Sequence, residues 1–166
     1  MRTIYLIAQI GLILFTLASC VSYKTSAGQL VNNTKSGFIA EGYDVVAYFT
    51  DGKPTSGNPA FTSTYKGSKY AFASAEHKQL FDADPEKYAP QFGGFCAYAV
   101  SIDRLRPIDP QYFQIVDGRL LLQHSQKALD LFSEDIPGSL KKADGYWPSI
   151  VTKKAGKPLE YDEQAQ

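Results

Sequence analysis

The first 19 residues decide how much chain is left to fold. Arg2 is followed by a run from Ile4 to Leu17 that is apolar apart from Gln9, Gly11 and Thr16. A membrane-spanning helix needs roughly 20 such residues, so the run is too short to span. A basic start before a short apolar stretch is instead the pattern of a cleaved signal segment, residues 1–19. Removing 19 of the 166 residues leaves 147, which suits one compact domain with a sizeable core.

The run ends in Leu17-Ala18-Ser19-Cys20, which resembles the lipobox of bacterial lipoproteins. The resemblance implies that Cys20 is lipid-modified with a diacylglyceryl group and becomes the first residue of the mature protein. One acyl chain holds a protein on a bilayer marginally and two hold it stably. The chain is therefore expected in a bacterial cell envelope, with the membrane as its partner through Cys20. Val21 and Ser22 lack the aspartate that retains many lipoproteins in the inner membrane, which points to the outer membrane facing the periplasm in a Gram-negative host. With Cys20 committed to lipid, Cys96 is the only thiol left, and an intramolecular disulfide is excluded. The leader holds one of the 17 basic residues, leaving 16 against 17 acidic. That balance gives no reason to expect nucleic acid as a partner.

Residues 20–36 are small and polar without an amphipathic period and read as a tether. Residues 151–166 are again mostly polar and read as a loose tail, which leaves 37–150 as the domain. Within it, Phe61–Tyr65 and Lys69–Phe72 flank Lys66-Gly67-Ser68 and predict a hairpin. Tyr112–Val116 and Arg119–Gln123 flank Asp117-Gly118 and predict a second, since Asp-Gly suits a tight primed turn. Ser74 caps a helix from Ala75 to about Asp84, which Pro85 interrupts or restarts. Ser125 and Asp135 cap two more, and Ile136, Leu140, Ala143 and Trp147 form an apolar stripe on the last. The expected fold is α+β, a small single domain of short antiparallel β-hairpins packed against several short helices. Hairpin and helices occur twice, yet the residues show no convincing repeat.

The segments Gly42–Phe49, Tyr65-Lys66-Gly67, Tyr70–Ser74, Phe81–Tyr88 and Gly93–Tyr98 together resemble the YHS domain family, most closely its secreted and membrane-associated bacterial branch. The resemblance implies a binding module handling a soft metal such as copper, because metal binding by YHS domains rests on cysteine ligands. Three of those cysteines are replaced here, at Ala47, Ala73 and His77, and alanine supplies no ligand. Family members also include selenoproteins, which implies chemistry rather than packing for Cys96.

Two candidates for a metal remain, Cys96 and His77. Gly93 and Gly94 permit positive φ, and a helix opening at Cys96 would aim unpaired amides at its sulfur and favour the thiolate. The competing reading is a small buried hydrophobe. His77 either replaces a family cysteine as a second ligand or is a hydrogen-bonded residue at a helix start. Asp44 reads as a cap for Val45 to Phe49, and His124 as an exposed turn residue. Three functions follow: a lipid-anchored, non-enzymatic module holding copper through Cys96 and His77, a single-cysteine thiol redox protein, or an envelope interaction protein without small-molecule chemistry. Thiolate and imidazole suit Cu(I), whereas redox turnover needs a resolving thiol from elsewhere.

Overall fold

The computed structural model describes residues 29–159 and 161. The leader, Cys20 and the first part of the tether lie outside them. The elements run α1 (Ala47–Thr50), β1 (Asn58–Tyr65), β2 (Ser68–Phe72), α2 (Ala75–Ala83), α3 (Pro85–Tyr88), α4 (Ala97–Ser101), β3 (Asp109–Val116), β4 (Arg119–Gln123), α5 (Gln126–Ser133) and α6 (Ile136–Lys154), with 3-10 turns at Ala40–Gly42 and Phe92–Gly94. The strands form two separate antiparallel hairpins, β1 with β2 and β3 with β4. The fold is the expected small α+β domain.

That order is one motif used twice. Each half begins with three successive residues at positive φ, Ala40-Glu41-Gly42 and Phe92-Gly93-Gly94. Each hairpin then closes through two more, Lys66-Gly67 and Asp117-Gly118, as a primed turn requires. The ladders break at matching points, between Asn58 and Thr62 and between Asp109 and Phe113. These bulges carry each first strand three residues further towards its N-terminus than its β-rich run suggests. Ser74 and Ser125 both cap the helix that follows, and Asp84 and Asp135 the helix after that. The Ile39 amide donates to the Lys69 carbonyl as the Gln91 amide does to that of Leu120. The repeat lies in conformation and capping, which many sequences satisfy, and so escapes a comparison of residues.

Two cores hold the halves together. One gathers Val45, Tyr48, Tyr70, Phe72, Phe81 and Tyr88 of the first half with Leu120 and Leu122 of β4. The other gathers Phe92, Phe95, Val100, Leu105, Phe132 and Ile150 with Leu121. Alternate residues of a strand point to opposite faces, so the run Leu120-Leu121-Leu122 serves both cores. Each such leucine stabilises the fold by about 1.5–3 kcal/mol through burial. In the stripe on α6, Ala143 is buried, whereas Ile136, Leu140 and Trp147 are half-buried against the second core.

Both expected boundaries of the domain are displaced outward. Leu30 and Asn32 are buried, with the Asn32 amide donating to the Gly93 carbonyl at 2.8 Å, so the tether gives way to a packed strap by residue 30. At the other end α6 continues to Lys154 because Val151 packs on the second core. The Tyr161 hydroxyl donates to Asn32 Oδ1 at 2.6 Å.

Gly93 is where the strap meets the second half. Its φ is +59°, and a Cβ there would stand 2.1 Å from the Leu30 carbonyl oxygen. Gly93→Ala is expected to cost well over about 1 kcal/mol in urea unfolding, because the strained φ and the backbone clash act together. Gly118→Ala is the control. Its φ of +72° is equally unfavourable, but nothing lies within 4 Å, so only about 1 kcal/mol should be lost.

Candidate functional site

Each half buries one acceptor at the same place, immediately after its left-handed turn. In the first half it is Asp44, fully buried. Asp44 Oδ1 accepts from the amides of Val46 (2.9 Å) and Ala47 (3.3 Å), and Oδ2 from the amide of Ala73 (2.7 Å) and from His77 Nδ1 (2.7 Å). The expected cap is present, and it also ties α1 to the end of β2 and the start of α2. The other ring nitrogen, His77 Nε2, lies 3.4 Å from Thr50 Oγ1 and 3.9 Å from Asp51 Oδ1. His77 is the hydrogen-bonded residue at a helix start, and its Nδ1 is committed to a carboxylate.

In the second half the same place belongs to Cys96. The backbone N–H groups of Tyr98, Ala99 and His124, two and three residues downstream and just before the capping Ser125, favour the charged form of its sulfur, from positions equivalent to those of Val46, Ala47 and Ala73 around Asp44. The thiol donates to Gln123 Oε1 at 3.3 Å, which also accepts from the Tyr98 amide at 3.0 Å. These amides and the Arg106 guanidinium favour the thiolate, as the glycines and the helix start imply. Burial outweighs them. Cys96 is 1% exposed, and desolvation holds its thiol above the ordinary cysteine value. The expected low-pH thiolate is therefore corrected to a neutral thiol.

Cys96 forms part of the wall of a cavity of about 380 Å³ beside α4 and the start of α5. His124 and Arg106 share that wall, so His124 is not the exposed turn residue expected from sequence. His124 Nδ1 lies 3.2 Å from the Pro107 carbonyl and Nε2 lies 3.4 Å from Arg106 Nη2. A ring N–H donated to a carbonyl fixes the tautomer, so Nδ1 carries the proton and Nε2 faces the guanidinium as an acceptor. Lys127 adds a second cation, and Ala99, Ile102, Ala128 and Leu131 supply an apolar side. Among the described residues no Asp or Glu lines it. A second cavity of about 340 Å³ lies beside Leu30, Tyr65 and Trp147. Its Lys66 and Glu86 pair with one another at 2.6 Å, which leaves it less charge to offer a ligand.

The two expected metal ligands have different hydrogen-bond partners. His77 bonds Asp44 and Cys96 bonds Gln123, with no shared partner. Among the described residues no group of three or more His, Cys, Asp and Glu side chains is placed to hold a metal ion. Sequence reasoning missed Arg106 and Gln123, and undervalued His124. A polar Gln ending the apolar run Leu120–Leu122 was the available signal.

Removing the His77 ring leaves Asp44 Oδ2 with the Ala73 amide alone. His77→Ala is expected to destabilise the protein by about 1–3 kcal/mol, measured as a lower thermal midpoint. The Cys96 thiol makes a prediction of opposite pH sense from the sequence expectation. In the native protein, alkylation should be slow at neutral pH and rise only above the ordinary thiol range, with the urea-unfolded protein reacting at lower pH. Because the folded pKa is the higher one, this thiol's contribution to stability is fully present below the unfolded value. It is lost as pH climbs through the window above it, so the unfolding midpoint should fall there by more in wild type than in Cys96→Ser.

Residues 46–92 match the family model of the YHS domain. The matched segment covers the first half from α1 to α3 and stops before Cys96. No curated protein and no solved structure matches the chain.

Proposed function

We propose, for a chain whose residues 46–92 form a YHS domain, the role of a lipid-anchored, non-enzymatic binding module whose ligand site is the Cys96 cavity in the other half. The observation that carries this reading is the convergence of Cys96, His124 and Arg106 on one cavity wall. Copper handling through cysteine ligands is what the family resemblance implies, and the donor set does not fit it. The family's cysteine positions hold Ala47, Ala73 and His77, and His77 Nδ1 is occupied by Asp44. Among the described residues Cys96 has no thiol or carboxylate in its cavity wall to complete a soft-metal site, and Arg106 faces His124 Nε2. The cavity suits a small molecule of a few hundred Å³.

Attachment through Cys20 rests on the lipobox and places the domain on a bacterial envelope membrane, the outer one in a Gram-negative host. Among the described residues no helix is long and apolar enough to cross a membrane. The neighbouring amides that favour the thiolate support a second reading, a single-cysteine thiol reductant. The raised pKa of the thiol opposes it, since the thiolate is the reactive form.

The full chain should fractionate with membranes, and Cys20→Ala should move it to the soluble fraction. Purified protein should retain no stoichiometric Cu(I), and wild type should match Cys96→Ser in metal content. In a small-molecule library, compounds that fill the cavity should slow maleimide labelling of Cys96 read by peptide mass spectrometry. Stoichiometric Cu(I) lost in Cys96→Ser would overturn this reading in favour of metal handling. Rapid peroxide-dependent sulfenic acid at Cys96 would overturn it in favour of the reductant.

A further inference from the structure

The repeat gives the Cys96 cavity a counterpart in the first half. Ser74 Oγ accepts from the His77 amide at 3.1 Å, and Ser125 Oγ accepts from the Ala128 amide at 3.3 Å. His77 and Ala128 are thus the same position of a capped helix, three residues after the serine. The His77 ring reaches Asp44 and Thr50, whose counterparts, one repeat later, are Cys96 and Ile102. Ser74, Glu76 and Leu80 correspond in the same way to Ser125, Lys127 and Leu131. All five counterparts line the cavity, together with Ala128 itself. The second half therefore repeats the surroundings of the His77 ring, while its own side chain stops at a methyl group. The place that a histidine ring holds in one half opens onto the cavity of the other.

The chemistry of the two places is inverted. In the first half a ring N–H is received by the carboxylate of Asp44, with Asp51 nearby. In the second the carboxylate is replaced by a thiol and Glu76 by Lys127, and Arg106 and His124 join the wall with no acid among the lining residues. Behind the thiol, buried Gln123 keeps its Nε2 without an acceptor among the described residues. Guanidinium and ammonium groups recognise oxyanions, and the Ala99, Ile102, Ala128 and Leu131 side takes hydrocarbon.

We infer that the Cys96 cavity takes a small organic carboxylate with a compact apolar body in the place that the His77 ring holds in the other half. This deepens the binding-module reading and rests on it. Sodium benzoate is the probe, with imidazole as the probe of opposite character. In the full chain, benzoate should slow maleimide labelling of Cys96 at least tenfold at saturation, and imidazole should not.

Ala128→His supplies the ring that the first half carries and should abolish protection by benzoate. Lys127→Glu restores the charge of Glu76 at an exposed position, so folding is not in question, and it should weaken benzoate binding about tenfold. Absence of protection by benzoate in wild type would overturn the inference, as would equal protection in both variants. If a cation or a neutral compound protects Cys96 where benzoate does not, the binding-module reading stands and the anion assignment falls. If no compound protects it, both fall.

Discussion

The burial of β4 on both faces is the constraint on which the rest of the molecule depends. Leu120 and Leu122 enter the core that holds the matched YHS segment, and Leu121 enters the core beneath α6. A two-stranded hairpin has marginal stability of its own, and neither hairpin here extends the other into a larger sheet. The halves are joined by side-chain packing instead of by strand pairing. Tyr48 reinforces the junction, since its hydroxyl donates to the Pro110 carbonyl at 3.0 Å and its ring meets Phe113 at 4.7 Å between centroids. Burial, aided by neighbouring negative groups, pushes the Tyr48 hydroxyl well above the usual phenol value, so it serves as a neutral donor.

Local signals made much of this legible in the sequence. Lys66-Gly67 and Asp117-Gly118 marked the turns, and Ser74, Ser125 and Asp135 marked the helix starts, because each acts on backbone within a few residues of itself. Longer-range features carried no such mark. The bulges near Asn58 and Asp109 depend on how a strand meets its partner, and the packed strap at Leu30 depends on Gly93, more than 60 residues away. The repeat stayed hidden for a related reason. Its two copies share φ values, caps and hydrogen bonds, while the side chains at equivalent places differ in chemistry, Asp44 against Cys96 and His77 against Ala128.

The candidate site was legible only in part. Cys96 stood out as the lone thiol of the domain, and its place at the start of a helix was correctly read. The sign of its pKa shift was not, because amides near a sulfur are a local feature and desolvation is a property of everything packed around it. Three-dimensional neighbourhoods are not encoded in spacing, and His124 shows the same effect. A histidine between a strand and a capping serine looks like a turn residue until Arg106 and Pro107 are placed against its two nitrogens.

Duplication also separates two demands that a single site would have to meet together. A buried carboxylate must be fully hydrogen-bonded or it costs several kcal/mol, and Asp44 meets that demand with three amides and one imidazole. The ring that satisfies it occupies the space beside it. A thiol carries no charge at neutral pH when burial raises its pKa, and it needs no such counterpart. Cys96 can therefore stand at the equivalent place with only the methyl group of Ala128 in the same cavity wall. Exchanging Asp for Cys is what allows the facing histidine to shrink to alanine without stranding a buried charge. A neutral acceptor is therefore compatible with an open cavity at the place where the charged one holds a histidine.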